Sequence, residues 1–240
     1  MSVWLFDYGN TRLKWAPLTA TGSTGAVTAL ADMAAADWAN ALPEGEAACV
    51  ASVAHAARTT ALLARLAGRF RRVHRVRVEP SLGPLRIAYP IPEHLGVDRF
   101  LAMLGLCGHG PLLVAGVGTA LTIDLVDAQD QHLGGRIAPA PQLMRSSLHA
   151  RAPHLPIDGG RAELDFADDT ADALASGCTG AALGLIEHSL RQATARLGQP
   201  PALYLHGGGG VALRPWLPQA HWRPSAVLDG LARWYGLRLA

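Results

Sequence analysis

The sequence predicts an α/β protein with mixed sheets in two related halves, and two observations carry that prediction. A strand, a helix and a strand follow one another between residues 47 and 78, which is the unit that produces parallel pairing. Near residue 111 the order of the opening segment returns: apolar strand, glycine turn, threonine, alternating strand. We therefore predict two domains, residues 1–112 and 113–240, which suits a chain of 240 residues.

The first half opens with a predicted hairpin. An apolar strand runs to Phe6, the turn contains Gly9 and Asn10, which both tolerate positive φ, and an alternating strand follows at 12–15. Apolar residues three and four positions apart then predict an Ala-rich helix over 28–42.

The remaining elements follow from the same two periodicities. In the first half they are a strand at 47–54, a helix at 56–68, a strand at 73–78 and a helix that begins near Val97. In the second half they are a strand at 111–116, an alternating strand at 119–127, an amphipathic segment at 142–149, a helix at 170–197, a strand at 202–205 and a helix near 226–235.

Composition and charge exclude several classes of protein. Hydrophobic residues make up 50% and charged residues 17% of the chain, which is typical of a folded globular protein. The net charge of +2 is too small to indicate a polyanion partner, and the basic run at 69–78 alternates with valine as a solvated strand face does. No apolar run reaches the ~20 residues that span a bilayer. We expect a soluble cytoplasmic protein with no nucleic-acid and no membrane partner.

The carboxylate of Asp7 follows an apolar strand, where it costs desolvation unless it meets a cation or a donor. An ordinary hairpin explains the turn but not this acid. In the functional interpretation, the turns at 7–11 and 116–119 hold phosphates through backbone N–H groups and the hydroxyls of Thr11 and Thr119. A Mg²⁺ ion near Asp7 would complete this clamp, because Mg²⁺ needs few protein carboxylates.

Three further features each have a functional and a structural interpretation. Asp98 is either the base for an acceptor hydroxyl or an ordinary first-turn acid favoured by the helix dipole. Arg99 either binds an anionic substrate as a planar fork or lies on the surface. The H-G-G-G-G loop at 206–210 either lets a flat base lie against the backbone or is a flexible turn.

Small residues and histidines of the second half have mainly structural interpretations. The long helix carries Gly177, Gly180 and Gly184 on one side, which favours close helix packing, in the core or across a dimer. Three histidines without metal-ligand spacing are interpreted as structural or surface residues: His149, His154 and His188.

Five motifs together resemble the type III pantothenate kinases. In order they are D-Y-G-N-T-R-L-K at 7–14, Y-P-I-P-E-H-L-G-V-D-R at 89–99, G-T-A-L-T-I-D at 118–124, G-G-R-I at 134–137 and D-T-A-D-A-L-A-S-G at 169–177. The resemblance spans nearly the whole chain and implies the acetate and sugar kinase/Hsp70/actin fold, with two ribonuclease H-like halves and an ATP cleft between them. It also implies phosphorylation of pantothenate to 4′-phosphopantothenate, the first step of coenzyme A biosynthesis.

The resemblance further implies a role for each matched residue. ATP and its Mg²⁺ would be held by Asp7, Tyr8, Gly9, Asn10, Thr11, Arg12, Leu13, Lys14, Thr119, Gly207, Gly208, Gly209 and Gly210, with Asp7 binding Mg²⁺ through water. The general base toward the pantothenate hydroxyl would be Asp98. The substrate site would be lined by Tyr89, Gly96, Val97, Asp98, Arg99 and Thr170, with Thr170 supplied by the second subunit of a homodimer.

The chain departs from the family pattern at two places. In many members an aspartate three residues before the threonine matched by Thr119 binds K⁺ or NH₄⁺, and here that position is Gly116. The monovalent-cation site is therefore either lost or rebuilt from carbonyls and other side chains. At 138–141 the chain has A-P-A-P where the family has Pro-Gly, and we expect a local loop change there.

Two other functions remain open at this point. One is a kinase of the same fold with another small-molecule acceptor, since a fold does not determine a substrate. The other is a non-catalytic transcriptional or accessory regulator on the same scaffold. The presence of Asp7, Asp98, Arg99 and Thr119 together favours an enzyme, and Gly116 is the feature that favours a regulator.

Overall fold

The structure of the protein, a computed structural model, describes residues 2–30 and 38–239. The chain divides into two compact units. Unit 1 contains Met1–His109, Gln129–His132 and Ser225–Ala240, and unit 2 contains Gly110–Ala128 and Leu133–Pro224.

Twelve β-strands and six α-helices are found within these described residues. The strands are β1 (Val3–Tyr8), β2 (Leu13–Pro17), β3 (Thr28–Leu30), β4 (Gly45–Ser52), β5 (Phe70–Arg75), β6 (Ser81–Leu82), β7 (Leu85–Arg86), β8 (Leu112–Val117), β9 (Ala120–Val126), β10 (His132–Pro139), β11 (Ala202–His206) and β12 (His221–Trp222). The helices are α1 (Ala56–Ala67), α2 (Val97–Leu106), α3 (Pro141–Arg151), α4 (Thr170–Leu197), α5 (Gly210–Leu213) and α6 (Ala226–Arg238). None of these helices combines the length and the apolar character that crossing a membrane requires.

The sheet of unit 1 has the strand order β3-β2-β1-β4-β5. Strand β1 pairs antiparallel with β2 and parallel with β4, and β4 pairs parallel with β5. Strand β1 is central because both of its faces are apolar, and Leu5 and Phe6 are fully buried. The ring of Phe6 stacks on Trp15 with centroids 6.5 Å apart and meets Phe70 edge-on at 5.8 Å. These contacts hold the end of β1, where Asp7 lies.

Helix α6 belongs to unit 1 because it packs closely on α2. At Gly230 an added Cβ would lie 2.0 Å from the carbonyl oxygen of Leu101, so the two backbones touch and only glycine fits. Arg233 of α6 also donates from Nη1 to the carbonyl oxygen of Cys107 at 2.7 Å. The sequence predicted a second domain over 113–240, and the observed units differ from that division because the last helix returns to the first unit.

The sheet of unit 2 has the strand order β10-β9-β8-β11-β12. Strand β8 pairs antiparallel with β9 and parallel with β11, and β11 pairs parallel with β12. All residues of β8 are buried, as its unbroken apolar sequence predicts. Helix α4 packs on this sheet through Ala182 and Ile186. It begins after the N-cap Asp169, which accepts two backbone N–H groups, and ends at Gly198 with a φ of 73°.

The two units share one plan of strands. In each sheet the first strand of a hairpin pairs antiparallel with the second strand on one side and parallel with a later strand on the other. This result confirms the predicted α/β fold, with two mixed sheets flanked by helices. It also explains why the opening pattern of the sequence returns near residue 111.

The predicted helix at 28–42 is wrong at both of its described ends. Thr28–Leu30 form the edge strand β3, with Leu30 opposite Leu13 of β2, and Trp38–Ala41 form a 3₁₀-helix. Residues 31–37 lie outside the described residues. The physical reason is that β2 offers an edge of backbone groups for pairing, whereas helix propensity is a weak preference that tertiary context overrides.

The predicted hairpin turn at Gly9 and Asn10 is present between β1 and β2, although neither residue has a positive φ. The turn spans 9–12 and is closed by the Gly9 N–H, which donates to the Arg12 carbonyl oxygen at 3.0 Å. A two-residue hairpin turn of the common types requires positive φ, but a longer turn such as this one does not.

Candidate active site

Asp7 is the penultimate residue of β1, and its neighbours across the sheet are Lys14 of β2 and Ala51 of β4. Its side chain is half-buried at the end of the strand. Burial raises the pKa of the Asp7 carboxyl from 3.8 to about 6; the Lys14 ammonium lowers this pKa, and the Asp98 carboxylate raises it. The charges of Asp7 and Asp98 therefore interact within unit 1.

Arg58 of α1 braces the turn that follows Asp7. Its Nε donates to the Tyr8 hydroxyl at 3.0 Å, and its Nη1 donates to the Asn10 carbonyl oxygen at 2.7 Å. The guanidinium carbon lies 5.1 Å from the centroid of the Tyr8 ring. Sequence reasoning missed Arg58, because it lies 48 residues from Asn10 on a helix and in none of the motifs.

The start of α2 orients the carboxylate of Asp98. Asp98 Oδ1 accepts the backbone N–H of Arg99 at 2.9 Å, and Gly96 is the N-cap residue of the helix. A Cβ at Gly96 would lie 2.6 Å from Asp98 Oδ1. A larger residue at Gly96 would therefore displace this carboxylate. The predicted site residue Gly96 leaves the space that the Asp98 carboxylate occupies.

Arg99 is buried, with 5% of its surface exposed, so its interpretation as a surface residue is wrong. Its Nη1 donates to the Tyr89 hydroxyl at 3.2 Å, and its guanidinium lies 5.8 Å from the Tyr89 ring centroid. The Tyr89 ring stacks on His132 with centroids 5.9 Å apart and planes 9° apart. His132, also buried and the first residue of β10, was missed because a single histidine carries no motif. Two predicted substrate residues, Tyr89 and Arg99, are thus in direct contact.

In unit 2, Thr119 lies in the turn between β8 and β9, and its carbonyl oxygen accepts the N–H of Ala140 at 3.3 Å. The glycine loop after β11 packs on the same hairpin. Gly207 has a φ of 87°, and its Cβ would lie 2.4 Å from the carbonyl oxygen of Val117, which also accepts the Gly209 N–H at 2.9 Å. The loop at 207–209 is therefore held against the hairpin that carries Thr119, which argues against a merely flexible turn.

Gly116, the penultimate residue of β8, lies opposite Thr122 of β9 and His206 of β11. A Cβ at this position would lie 2.6 Å from His206 Nε2 and 2.8 Å from Thr122 Oγ1. An aspartate at this position would therefore displace the His206 ring and the Thr122 hydroxyl. The sequence showed that the acid is missing, but only the structure identifies the residue that fills its space.

Helix α4 carries the last of the predicted residues. Thr170 is its first residue, is exposed, and belongs to unit 2, whereas the other predicted substrate residues belong to unit 1. For Gly177, Gly180 and Gly184, an added Cβ would meet no atom of the described residues within 4 Å. Packing of these glycines in the core of unit 2 is therefore excluded among the described residues, and the dimer interpretation remains.

Comparison with known proteins decides the family. The family model described as "Type III pantothenate kinase" matches residues 3–192. The type III pantothenate kinase of Stenotrophomonas maltophilia (strain R551-3) is 54% identical over 237 residues, which cover 98% of this chain and 97% of the relative. That of Xanthomonas campestris pv. campestris (strain B100) is 55% identical with the same coverage. This chain belongs to the type III pantothenate kinase family.

Solved structures of more distant proteins show the same fold. A conserved putative Baf family transcriptional activator from Campylobacter jejuni has a TM-score of 0.65 at 19% identity, over 97% of both chains. A putative 2-dehydro-3-deoxygalactonokinase from Sinorhizobium meliloti has a TM-score of 0.57 at 17% identity, over 99% of this chain and 100% of the other. At these identities the likeness concerns the fold alone.

A type III pantothenate kinase uses ATP with a divalent metal, and the end of β1 fits such an ion. Asp7 offers carboxylate oxygens, and a cation beside it would offset the burial and the negative charge of Asp98 that raise its pKa. Among residues 2–30 and 38–239, no three His, Cys, Asp or Glu residues are grouped to hold a metal. The ion would therefore depend on Asp7, water and phosphate oxygens. At Gly116, by contrast, the three atoms nearest to an added Cβ are two atoms of the His206 imidazole and one oxygen, Thr122 Oγ1.

Proposed function

We propose that this protein transfers the γ-phosphoryl group of ATP to the hydroxyl of pantothenate and forms 4′-phosphopantothenate, the first step of coenzyme A biosynthesis. Membership of the type III pantothenate kinase family supports the reaction class and the substrate. The observation that carries the proposal is the electrostatic interaction of two carboxylates in unit 1. Asp7 lies at a strand end suited to a metal, and Asp98 interacts with it from the first turn of α2.

The nucleotide is proposed to bind at the two hairpins. In unit 1 the turn from Asp7 to Lys14 would contact the phosphates, and the Asp7 carboxylate would hold Mg²⁺ through a water molecule rather than by a direct bond. Bound Mg²⁺ supplies charge neutralisation on the phosphates. In unit 2 the hydroxyl of Thr119 would contact a phosphate, and the loop Gly207, Gly208 and Gly209 would lie along the adenosine.

The residues that support ATP binding in this proposal include one that sequence reasoning missed. Arg58 holds the Tyr8 hydroxyl and the Asn10 carbonyl oxygen, so it fixes the turn whose backbone N–H groups face the phosphates in the proposal. The remaining phosphate residues of this turn are Gly9, Thr11, Arg12 and Leu13. Because phosphoryl transfer depends mainly on positioning and charge, a rigid turn is what the reaction requires from this hairpin.

The acceptor is proposed to bind beside α2. Asp98 would take the proton from the pantothenate hydroxyl, with its carboxylate oriented by the Arg99 N–H and by the absence of a side chain at Gly96. Arg99 is buried and already donates to Tyr89, and a guanidinium held in this way suits the carboxylate of pantothenate. Val97 would line the same site.

A homodimer in the cytoplasm is part of the proposal. The predicted substrate residue Thr170 lies on α4, whose glycines face open space among the described residues, and a second copy would cover that face. The net charge of +2 is too small to support a nucleic-acid partner. The dimer is tested by the molar mass in solution, measured by light scattering at several protein concentrations. A mass that stays at 25.2 kDa would contradict it.

The test of the reaction is ADP release coupled to a spectroscopic signal, with purified protein, Mg-ATP and pantothenate, and with mass spectrometry of the product. We expect ADP release that depends on pantothenate and a product heavier by one phosphoryl group. Asp98→Asn is the matched variant, and its kcat should fall by about 10²-fold or more, the usual effect of a positioned base. The dissociation constant for Mg-ATP should stay near that of the wild type.

Each negative result has a distinct meaning. If no pantothenate-dependent ADP release occurs in any salt, the proposed function is wrong, and the accessory-regulator hypothesis is favoured instead. If ADP release occurs with another small alcohol but not with pantothenate, the acceptor is wrong. If Asp98→Asn keeps the wild-type kcat, the assignment of the base is wrong while the kinase activity stands.

A further inference from the structure

The penultimate residues of β1 and β8 occupy equivalent places in the two sheets. In unit 1 this residue is Asp7, and its neighbour on the parallel strand β4 is the small Ala51. In unit 2 it is Gly116, and its neighbour on the parallel strand β11 is the larger His206. Side chains in register on adjacent strands project to the same face. In unit 1 the larger residue is on the hairpin strand β1, whereas in unit 2 it is on the parallel neighbour β11.

The imidazole of His206 fills the space beside Gly116. A Cβ at Gly116 would lie 2.6 Å from Nε2 and 3.0 Å from Cε1 of this ring, and 2.8 Å from Thr122 Oγ1. All three distances are shorter than ordinary van der Waals contacts between such atoms. An aspartate at this position would therefore need His206 to move. In unit 2 the His206 ring occupies the space that a side chain equivalent to Asp7 of unit 1 would need.

The groups around Gly116 suit a histidine better than an alkali cation. A K⁺ ion is bound by a shell of oxygens, whereas a ring nitrogen suits transition metals or hydrogen bonds. Thr122 Oγ1 is one oxygen near this point. The sequences of β8, β9 and β11 contain one carboxylate, Asp124, which lies opposite Val114, further from the turn than the Gly116 row.

We propose that the imidazole of His206 permanently takes the place of a monovalent cation beside Gly116, so that Mg-ATP binding and turnover need neither K⁺ nor NH₄⁺. The statement about turnover rests on the proposed kinase function. His206 immediately precedes Gly207, whose loop is packed on Val117, so the ring lies next to the loop and the hairpin turn proposed to hold ATP. His206 is a positioning residue in this arrangement.

The first experiment compares salts on the wild-type protein. Steady-state kinetics with Mg-ATP and pantothenate are measured in the chlorides of potassium, ammonium, sodium and tetramethylammonium at equal ionic strength. The dissociation constant of Mg-ATP is measured by calorimetry in the potassium and tetramethylammonium salts. We expect kcat/KM and the dissociation constant to agree within about twofold in all salts, which is within ~0.4 kcal/mol. A tenfold or larger gain with K⁺ or NH₄⁺ in either quantity would overturn the proposal.

The two measurements separate failure of this inference from failure of the proposed function. If no salt supports pantothenate-dependent turnover, the proposed function fails, and the calorimetric comparison still decides whether Mg-ATP binding needs K⁺. If turnover occurs only with K⁺ or NH₄⁺, the proposed function stands and the role of His206 is wrong.

A double variant tests whether the space beside Gly116 can bind a monovalent cation once the His206 ring is removed. In Gly116→Asp combined with His206→Ala, the ring is removed and a carboxylate is introduced, so we expect Mg-ATP to bind at least about fivefold more tightly in KCl than in tetramethylammonium chloride. Thermal unfolding in each salt shows whether the variant is folded, and a K⁺-dependent rise in its melting temperature is the expected second readout. A folded double variant with no preference for K⁺ in either readout would contradict the proposal.

A matched histidine controls for a general effect of losing one imidazole. His109 lies exposed in the loop between α2 and β8, away from the proposed sites and from the glycine face of α4, and His109→Ala should show the same salt independence as the wild type. If His109→Ala acquired the K⁺ dependence expected of the double variant, the dependence would not arise from the position beside Gly116.

Discussion

The two hairpins share a backbone plan but are held by different kinds of contact. The turn after β1 is braced by one side chain, Arg58, which reaches it from α1. The turn after β8 is braced by backbone, because Gly207 and Gly209 lie directly against Val117. A side-chain brace can be removed at a small cost to folding, whereas a backbone brace leaves no room for substitution. The turn of unit 1 is therefore held by a charged side chain, and the turn of unit 2 by close backbone contacts.

The largest effect on folding is expected at the backbone brace. In Gly207→Ala the new Cβ would lie 2.4 Å from the Val117 carbonyl oxygen, on a residue with a φ of 87°. Overpacking and a left-handed non-glycine residue together should lower the free energy of unfolding by about 3 kcal/mol. Denaturant unfolding followed by circular dichroism measures this change.

A neighbouring glycine is the control for Gly207. In Gly118→Ala the Cβ would meet only the Ala120 carbonyl oxygen at 3.9 Å, so the free energy of unfolding should change by less than about 0.5 kcal/mol. Equal losses in the two variants would show that the contact with Val117 is not what holds the loop.

The second effect concerns the charge at the end of β1. Burial and the Asp98 carboxylate raise the pKa of Asp7 from 3.8 in the unfolded chain to about 6 in the folded protein, against the opposing effect of Lys14. A raised pKa means that folding stability is fully present below the unfolded value and is lost as the pH rises through the folded value. Each pKa unit corresponds to about 1.4 kcal/mol, and water screens part of this effect at a half-buried side chain. Ionisation of Asp7 should therefore cost roughly 2 kcal/mol at about pH 7.5.

Asp7→Asn should therefore be more stable than the wild type near pH 7.5, by about 2 kcal/mol in the absence of Mg-ATP, and equal to it at about pH 3, below the unfolded pKa. Chemical denaturation at several pH values measures this difference. Asp165→Asn, a change of an exposed aspartate in unit 2, is the control and should follow the wild-type profile. A difference at Asp7 that is independent of pH would contradict the role assigned to its charge.

Strand and helix patterns were predictable from the sequence because local periodicity decides them. The long helix α4 agrees with its predicted span, and both hairpins follow from apolar runs that end in glycine. The edge strand Thr28–Leu30 was not predictable, since its pairing depends on the open side of β2 rather than on its own residues. The return of α6 to unit 1 depends on a contact between Gly230 and Leu101 that no local pattern contains.

Residues of the candidate site were predictable from the sequence where their own local position indicates a role. They were not predictable where their role depends on a contact with a residue distant in the sequence. Asp7 and Asp98 have recognisable positions at a strand end and in a first helical turn. Arg58, His132 and His206 act through contacts with residues far along the chain, such as the ring of His206 beside Gly116. Contacts of this kind follow from the packing of elements, which the sequence pattern does not report.

The smallest effect on folding is expected at the side-chain brace. Arg58→Ala removes the donors to the Tyr8 hydroxyl and the Asn10 carbonyl oxygen from an exposed side chain, so the free energy of unfolding should fall by only about 1 kcal/mol. The KM for ATP should rise about fivefold with a smaller change in kcat, because the turn loses its fixed geometry. Steady-state kinetics at saturating pantothenate measure both constants.

Arg58→Lys separates geometry from charge at the same position. A lysine ammonium keeps the positive charge but lacks the planar fork that donates to Tyr8 and Asn10 in two directions, so it should not restore the KM for ATP. Arg65→Ala, on the exposed side of the same helix, should leave the KM unchanged. A full rescue by lysine would mean that Arg58 acts on ATP through its charge. Fixation of the turn geometry by Arg58 would then not be what ATP binding requires.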